Sequence, residues 1–139
     1  MFSPDSKKAV VPNPSGLGDS LDVYDTERGN VLFSLQKQGA QVVFSADSKK
    51  LALFNYGGNT VVLCDATTGK TERSFQLTVD TATLFSVYFS PDGRLIQLHA
   101  TSGGDLVFDV KTGQAKPIFD GSEFVLFSPD GKTDRKSVV

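Results

Sequence analysis

The residues best suited to chemistry are aspartates that recur in fixed company. Asp5, Asp47, Asp92 and Asp130 each follow Phe-Ser-Pro or Phe-Ser-Ala. Asp25, Asp65 and Asp109 follow Tyr24, Cys64 and Phe108, and each precedes a glycine at the end of its turn. Carboxylates ligate calcium when several oxygen ligands stand at alternate positions of one loop. Each of these stretches has one aspartate, so the spacing predicts turn closure instead. An Asp side chain can accept hydrogen bonds from backbone N–H groups just ahead of it.

The other reactive residue types stand alone. His99 is the single histidine, with no second His and no nearby Cys to complete a metal ligand set. It reads as a strand-end residue in contact with solvent. No nucleophile-elbow pattern is present, so a Ser-His-Asp triad has no support. Cys64, the single cysteine, reads as a small buried hydrophobe. A reactive thiol would need an exposed, electropositive setting. One cysteine forms no internal disulfide framework, which fits a reducing compartment. Gly57-Gly58 and Gly103-Gly104 lack the lysine and following helix of a phosphate-binding loop and read as hairpin turns. No catalytic residue, metal ligand or cofactor site is expected.

These residues must be placed by elements, and the elements repeat. Phe2-Ser3-Pro4-Asp5, Phe44-Ser45-Ala46-Asp47, Phe89-Ser90-Pro91-Asp92-Gly93 and Phe127-Ser128-Pro129-Asp130-Gly131 lie roughly 40 residues apart. The second signature runs in phase between them: Asp25 to Gly29, Asp65 to Gly69 and Asp109 to Gly113. Short stretches such as SLDVY (20–24), KLALF (50–54), TVVLC (60–64), RLIQL (94–98) and DLVFD (105–109) lie between turn signals. That spacing argues for an all-β protein, and no segment keeps a 3.6-residue period. Connections this short make antiparallel meanders, since parallel crossovers need longer links. Pro91 presets φ in its turn, and Gly93, Gly29, Gly69 and Gly113 are placed where a left-handed residue is needed. The loop at 12–19 carries two prolines and two glycines, which forbid regular structure.

Composition narrows the class. The 139 residues suffice for one domain with a real core. Hydrophobic residues at 39% and charged residues at 22% are ordinary for a soluble globular protein. A formal net charge of −2 favours neither nucleic acid nor an anionic membrane. No apolar run reaches the roughly 20 residues that span a bilayer, and the first residues have no signal-peptide core. A cytoplasmic location is therefore expected.

Phe-Ser-Pro-Asp-Gly, a strand, a Gly-rich turn, a strand ending in aromatic-Asp, and a Thr-Gly turn together resemble the WD-repeat family of β-propellers. The resemblance runs from Phe2 to about Gly131. It implies four-stranded antiparallel blades: residues 1–35 lacking the inner strand, 40–77 and 84–119 complete, and 123–139 starting another. About three blades make a partial or open propeller, against the usual four to eight. The departures are clear. Tyr24, Cys64 and Phe108 replace the family's Trp, its Gly-His dipeptide is absent, and His99 is misplaced. The family's buried polar network cannot form, so apolar packing must replace it.

The resemblance implies a non-catalytic protein–protein interaction scaffold, as a fragment of a larger propeller. The alternative is a propeller accessory region of a larger enzyme, a peptidase or kinase with appended repeats. A cofactor-dependent dehydrogenase propeller would need cofactor contacts that are not present. By analogy the binding face is made by the loops carrying Gln36, Lys37, Gln38, Asn55, Tyr56, Asn59, Asp80, Thr101, Ser102, Asp120 and Glu123. Tyr56 is the aromatic among them, the residue type favoured as an anchor. The expected partner is a protein. End blades leave apolar faces and strand edges open, so self-association is expected, with residues 123–128 of one copy completing the first blade of another. An open three-blade arc is the third outcome.

Overall fold

The computed structural model describes residues 1–13, 20–36, 40–55, 58–76, 84–100 and 105–115. Among the described residues every regular element is a strand. They are β1 (Lys8–Asn13), β2 (Ser20–Asp25), β3 (Val31–Gln36), β4 (Ala40–Phe44), β5 (Lys50–Asn55), β6 (Thr60–Asp65), β7 (Thr71–Gln76), β8 (Leu84–Phe89), β9 (Leu95–Ala100) and β10 (Asp105–Asp109). Three antiparallel sheets result, ordered β1-β2-β3, β4-β5-β6-β7 and β10-β9-β8. Strand order follows chain order inside each sheet, which is the meander that short turns impose.

The second sheet joins a core on both faces, and its strand β5 is correspondingly apolar from Leu51 to Phe54. In β5, Leu51 and Leu53 point to one side, Ala52 and Phe54 to the other, and all four are buried. Toward the first sheet, Val42, Phe44, Leu51, Leu53 and Cys64 form a core with Val10 and Val23. Toward the third, Ala52, Phe54, Val61, Leu63 and Phe75 pack with Val87, Ile96, Leu98 and Phe108. The Phe75 and Phe108 rings meet at 5.3 Å between centroids, tilted by 47°. Burying a side chain the size of Leu or Phe contributes about 1.5–3 kcal/mol.

The first sheet departs from the expected strand limits. β1 continues through Pro12 and Asn13, which the sequence places in a loop. The reason lies in the edge. Val10 turns its N–H and C=O toward Met1, with bonds of 2.7 and 3.0 Å. Pro12, two residues on, faces the same way, so its missing donor falls on the sheet edge, where a proline is tolerated. Phe2 bridges Ala9, as Phe44 pairs with Leu51 and Phe89 with Ile96. Phe2, Phe44 and Phe89 thus hold equivalent places, while Phe127 lies outside the described residues. Residues 84–119 show three strands and a bridge from Phe108 to Ala115; the fourth strand expected at 115–119 lies beyond the described residues.

Candidate interaction surface

One end of every sheet is built by the aspartate turns, and their geometry repeats. In the first type, the Ser hydroxyl donates to Asp Oδ1: Ser3 to Asp5 at 2.6 Å, Ser45 to Asp47 at 2.6 Å and Ser90 to Asp92 at 2.7 Å. The same carboxylate oxygen accepts the backbone N–H of Lys7, Lys49 or Arg94 at 2.9–3.0 Å. The fourth residue is left-handed: Ser6 at φ 60°, Ser48 at φ 62° and Gly93 at φ 72°. In the second type, Asp25 Oδ1 accepts the N–H groups of Glu27 and Arg28 at 2.9 and 3.0 Å. Asp65 does this for Thr67 and Thr68, and Asp109 for Lys111 and Thr112. Gly29, Gly69 and Gly113 close these turns at φ 72–74°. The aspartates are therefore occupied in closing turns.

These bonds hold the carboxyls of Asp5, Asp25, Asp47, Asp65 and Asp92 below the ordinary carboxylate range. For Asp5 the Ser3 hydroxyl is the largest cause; for Asp25 and Asp65 it is the N–H of Arg28 and of Thr68. For Asp47 and Asp92 partial burial is the largest influence and pushes upward. The Ser45 and Ser90 hydroxyls, with the N–H groups of Lys49 and Arg94, outweigh it. Among the described residues no three His, Cys, Asp or Glu side chains gather as a metal site. Cys64 is buried between the first and second sheets. His99 is half-buried within β9, opposite Ser86 and Asp105.

Three of the loop residues named from sequence stand at the opposite ends of these strands. Gln36 ends β3, Asn55 ends β5, and Asn59 precedes β6; all three are exposed. The Asn55 carbonyl accepts the Gly58 N–H at 2.8 Å, and Asn59 Oδ1 accepts the Thr60 hydroxyl at 3.0 Å. The structure thus brings Asn55 and Asn59 together on one turn. Lys37, Gln38, Tyr56, Asp80, Thr101, Ser102, Asp120 and Glu123 lie outside the described residues.

Sequence reading missed a polar set in the first sheet. Asp22 is buried, and its carboxylate accepts Asn13 Nδ2 at 3.0 Å and Ser34 Oγ at 2.6 Å. It ties β1, β2 and β3 together across the strands. Aligning the repeats would have exposed it, because Asp22 stands three residues before Asp25 where the other sheets carry Val62 and Leu106.

Antiparallel sheets that recur with the same two turns define a β-repeat protein. No family model matches the chain. It is similar to the WD repeat-containing protein SL1-17 of Schistosoma mansoni, 33% identical over 117 residues. The match covers 81% of this chain and 36% of that protein, so the chain spans well under half of the relative's length. That likeness and the all-β sheets fit a WD-like repeat. No helix among the described residues is long and apolar enough to cross a membrane.

Proposed function

We propose that the chain is a non-catalytic protein-interaction scaffold of WD-repeat-like blades. It contributes about three of them to a longer propeller of the usual four to eight. Its blades are residues 1–35, 40–77 and 84–119, with 123–139 starting a further one. The observation that carries this reading is the likeness to a WD repeat-containing protein over most of the chain, and the in-phase turns support it. The binding rim is the loop end that carries Gln36, Asn55 and Asn59, because the other end is occupied by turn closure. The partner is a protein.

Two measurements test the reading. The immobilised chain and a Gln36→Ala/Asn55→Ala/Asn59→Ala variant are compared for the proteins each retains from cell extract. Loss of specific proteins from the variant, at unchanged circular dichroism, is expected; identical retained sets would sink the rim assignment. Reading the coding sequence on either side should show further repeats in frame. An adjoining catalytic domain there would favour an accessory region of an enzyme instead.

A further inference from the structure

At the turn end, Arg73 reaches from the second sheet to the third. It is third in β7 and half-buried, and it lies over Gly113, where a Cβ would stand 2.5 Å from its Nη1. Its Nη2 donates to the Lys111 carbonyl at 2.9 Å and its Nη1 to the Thr112 carbonyl at 3.1 Å. Those carbonyls belong to two peptide groups whose N–H ends face Asp109. The group linking Lys111 to Thr112 gives its N–H to Asp109 Oδ1 at 2.9 Å. The group linking Thr112 to Gly113 gives its N–H to the Asp109 carbonyl at 2.8 Å. Each peptide group therefore lies between the guanidinium of one sheet and an Asp109 oxygen of the next. Hydrogen bonds in such a chain polarise one another, so each strengthens its neighbour. Bonds with a charged partner are also stronger than neutral ones.

The junction between the first and second sheets is built differently. Asp65 accepts the N–H groups of Thr67 and Thr68, and the Gly69 N–H meets the Asp65 carbonyl at 2.9 Å, as at Asp109. The side chain over this turn is Phe33, whose Cδ2 is 2.5 Å from where a Gly69 Cβ would stand. Phe33 and Arg73 hold the same place, third in β3 and in β7. A phenyl ring offers no N–H to a carbonyl. The same turn is thus seated under a ring at one junction and under a donating cation at the other.

We propose that Arg73 is a clasp that acts through Asp109: docking of the second sheet on the third and closure of the Asp109 turn reinforce one another through the two shared peptide groups. The Asp109 turn is then fully closed only while β7 lies against it, and opening at this junction loosens the turn. The clasp is a property of the junction and holds whatever the rim binds.

Site-resolved amide exchange by NMR on the full chain tests this as a double-mutant cycle. Arg73→Met keeps an apolar stem and removes the guanidinium. Asp109→Asn keeps an acceptor and removes the charge. The Thr112 and Gly113 amides should exchange about tenfold faster in Arg73→Met. Asp109→Asn should speed them by about threefold more in wild type than on top of Arg73→Met. Asp25→Asn is the control, because Asp25 closes the same kind of turn in the first sheet. It should change exchange at Arg28 and Gly29 by the same factor with and without Arg73→Met. Unchanged exchange in Arg73→Met overturns the clasp. Faster exchange with independent effects of the two substitutions would leave Arg73 a packing contact with no link to Asp109, which also overturns it. If Asp109→Asn unfolds the third sheet, the guanidinium itself decides the matter. In cooled wild type the Arg73 Nη protons should give separate resonances, held apart by their two carbonyls; one averaged line would overturn the proposal.

Discussion

A left-handed residue has different consequences at different turns of this chain. Ser6 and Ser48 occupy the place that Gly93 fills, at φ 60° and 62°, where a residue with a Cβ is strained by about 1–2 kcal/mol. Ser48 has a compensation, because its hydroxyl receives the Asp5 N–H. Ser6 is exposed and shows no such bond, so Ser6→Gly should stabilise the chain by about 1 kcal/mol. A fall in the thermal midpoint would refute that. Gly29→Ala and Gly69→Ala introduce the same strain, but only Gly69→Ala drives a Cβ into Phe33. Denaturant midpoints should therefore fall further for Gly69→Ala, by about 1–3 kcal/mol beyond Gly29→Ala; equal losses would contradict the junction geometry.

The same residues set a pH dependence. Asp5, Asp25, Asp47, Asp65 and Asp92 have folded values below the ordinary 3.8. A lowered carboxylate contributes stability that is fully present above its unfolded value and disappears as pH falls through the folded one. Thermal midpoints should thus be flat near neutrality and fall below about pH 4. Asp65→Asn should soften that acid limb; an unchanged slope would show that the turn carboxylates do not control it.

At the scale of the element, the aspartate turns decide where strands stop, and apolar pairs decide which sheet face meets which neighbour. β5 shows the second point. Its apolar run lacks the alternation of a half-exposed strand, and it is the strand buried on both sides. β2 shows what a face without that covering carries: Asp22, bonded to Asn13 and Ser34. Asp22→Val would strip two donors of their acceptor and place an apolar group among them. A loss of about 1–3 kcal/mol is expected from the orphaned donors. A variant as stable as wild type in urea would mean that the cluster contributes nothing to the sheet.

For the whole molecule, stability runs through neighbouring sheets. Each sheet has its own turns, but among the described residues the second is the one whose two faces both join a core. Stability in a stacked array is a sum of unit terms and nearest-neighbour interfaces. Amide exchange should therefore be slowest in β5 and β6 and faster in β1 to β3. A first sheet that exchanges as slowly as the second would show that its outward face is covered. Phe75→Ala, which opens the core between the second and third sheets, should cost about 3–5 kcal/mol and speed exchange in both.

The residues alone determined the strand class, the turn positions and the repeat phase. Proline, glycine and Asx chemistry act over four or five residues, and a local pattern shows them directly. The same local rules placed Gly29, Gly69 and Gly113 at their left-handed positions and made the aspartates turn closers. They could not tell these glycines apart, because Phe33 and Arg73 come from a different sheet. Nor could they show that Pro12 is tolerated within β1, which depends on the edge that Met1 meets. The burial of Asp22 beside Asn13 and Ser34, and the seating of Phe33 and Arg73 over glycines of the next sheet, came only from the packing of strand on strand and sheet on sheet. Contacts between distant segments depend on which strands lie side by side in three dimensions, and no local pattern encodes that.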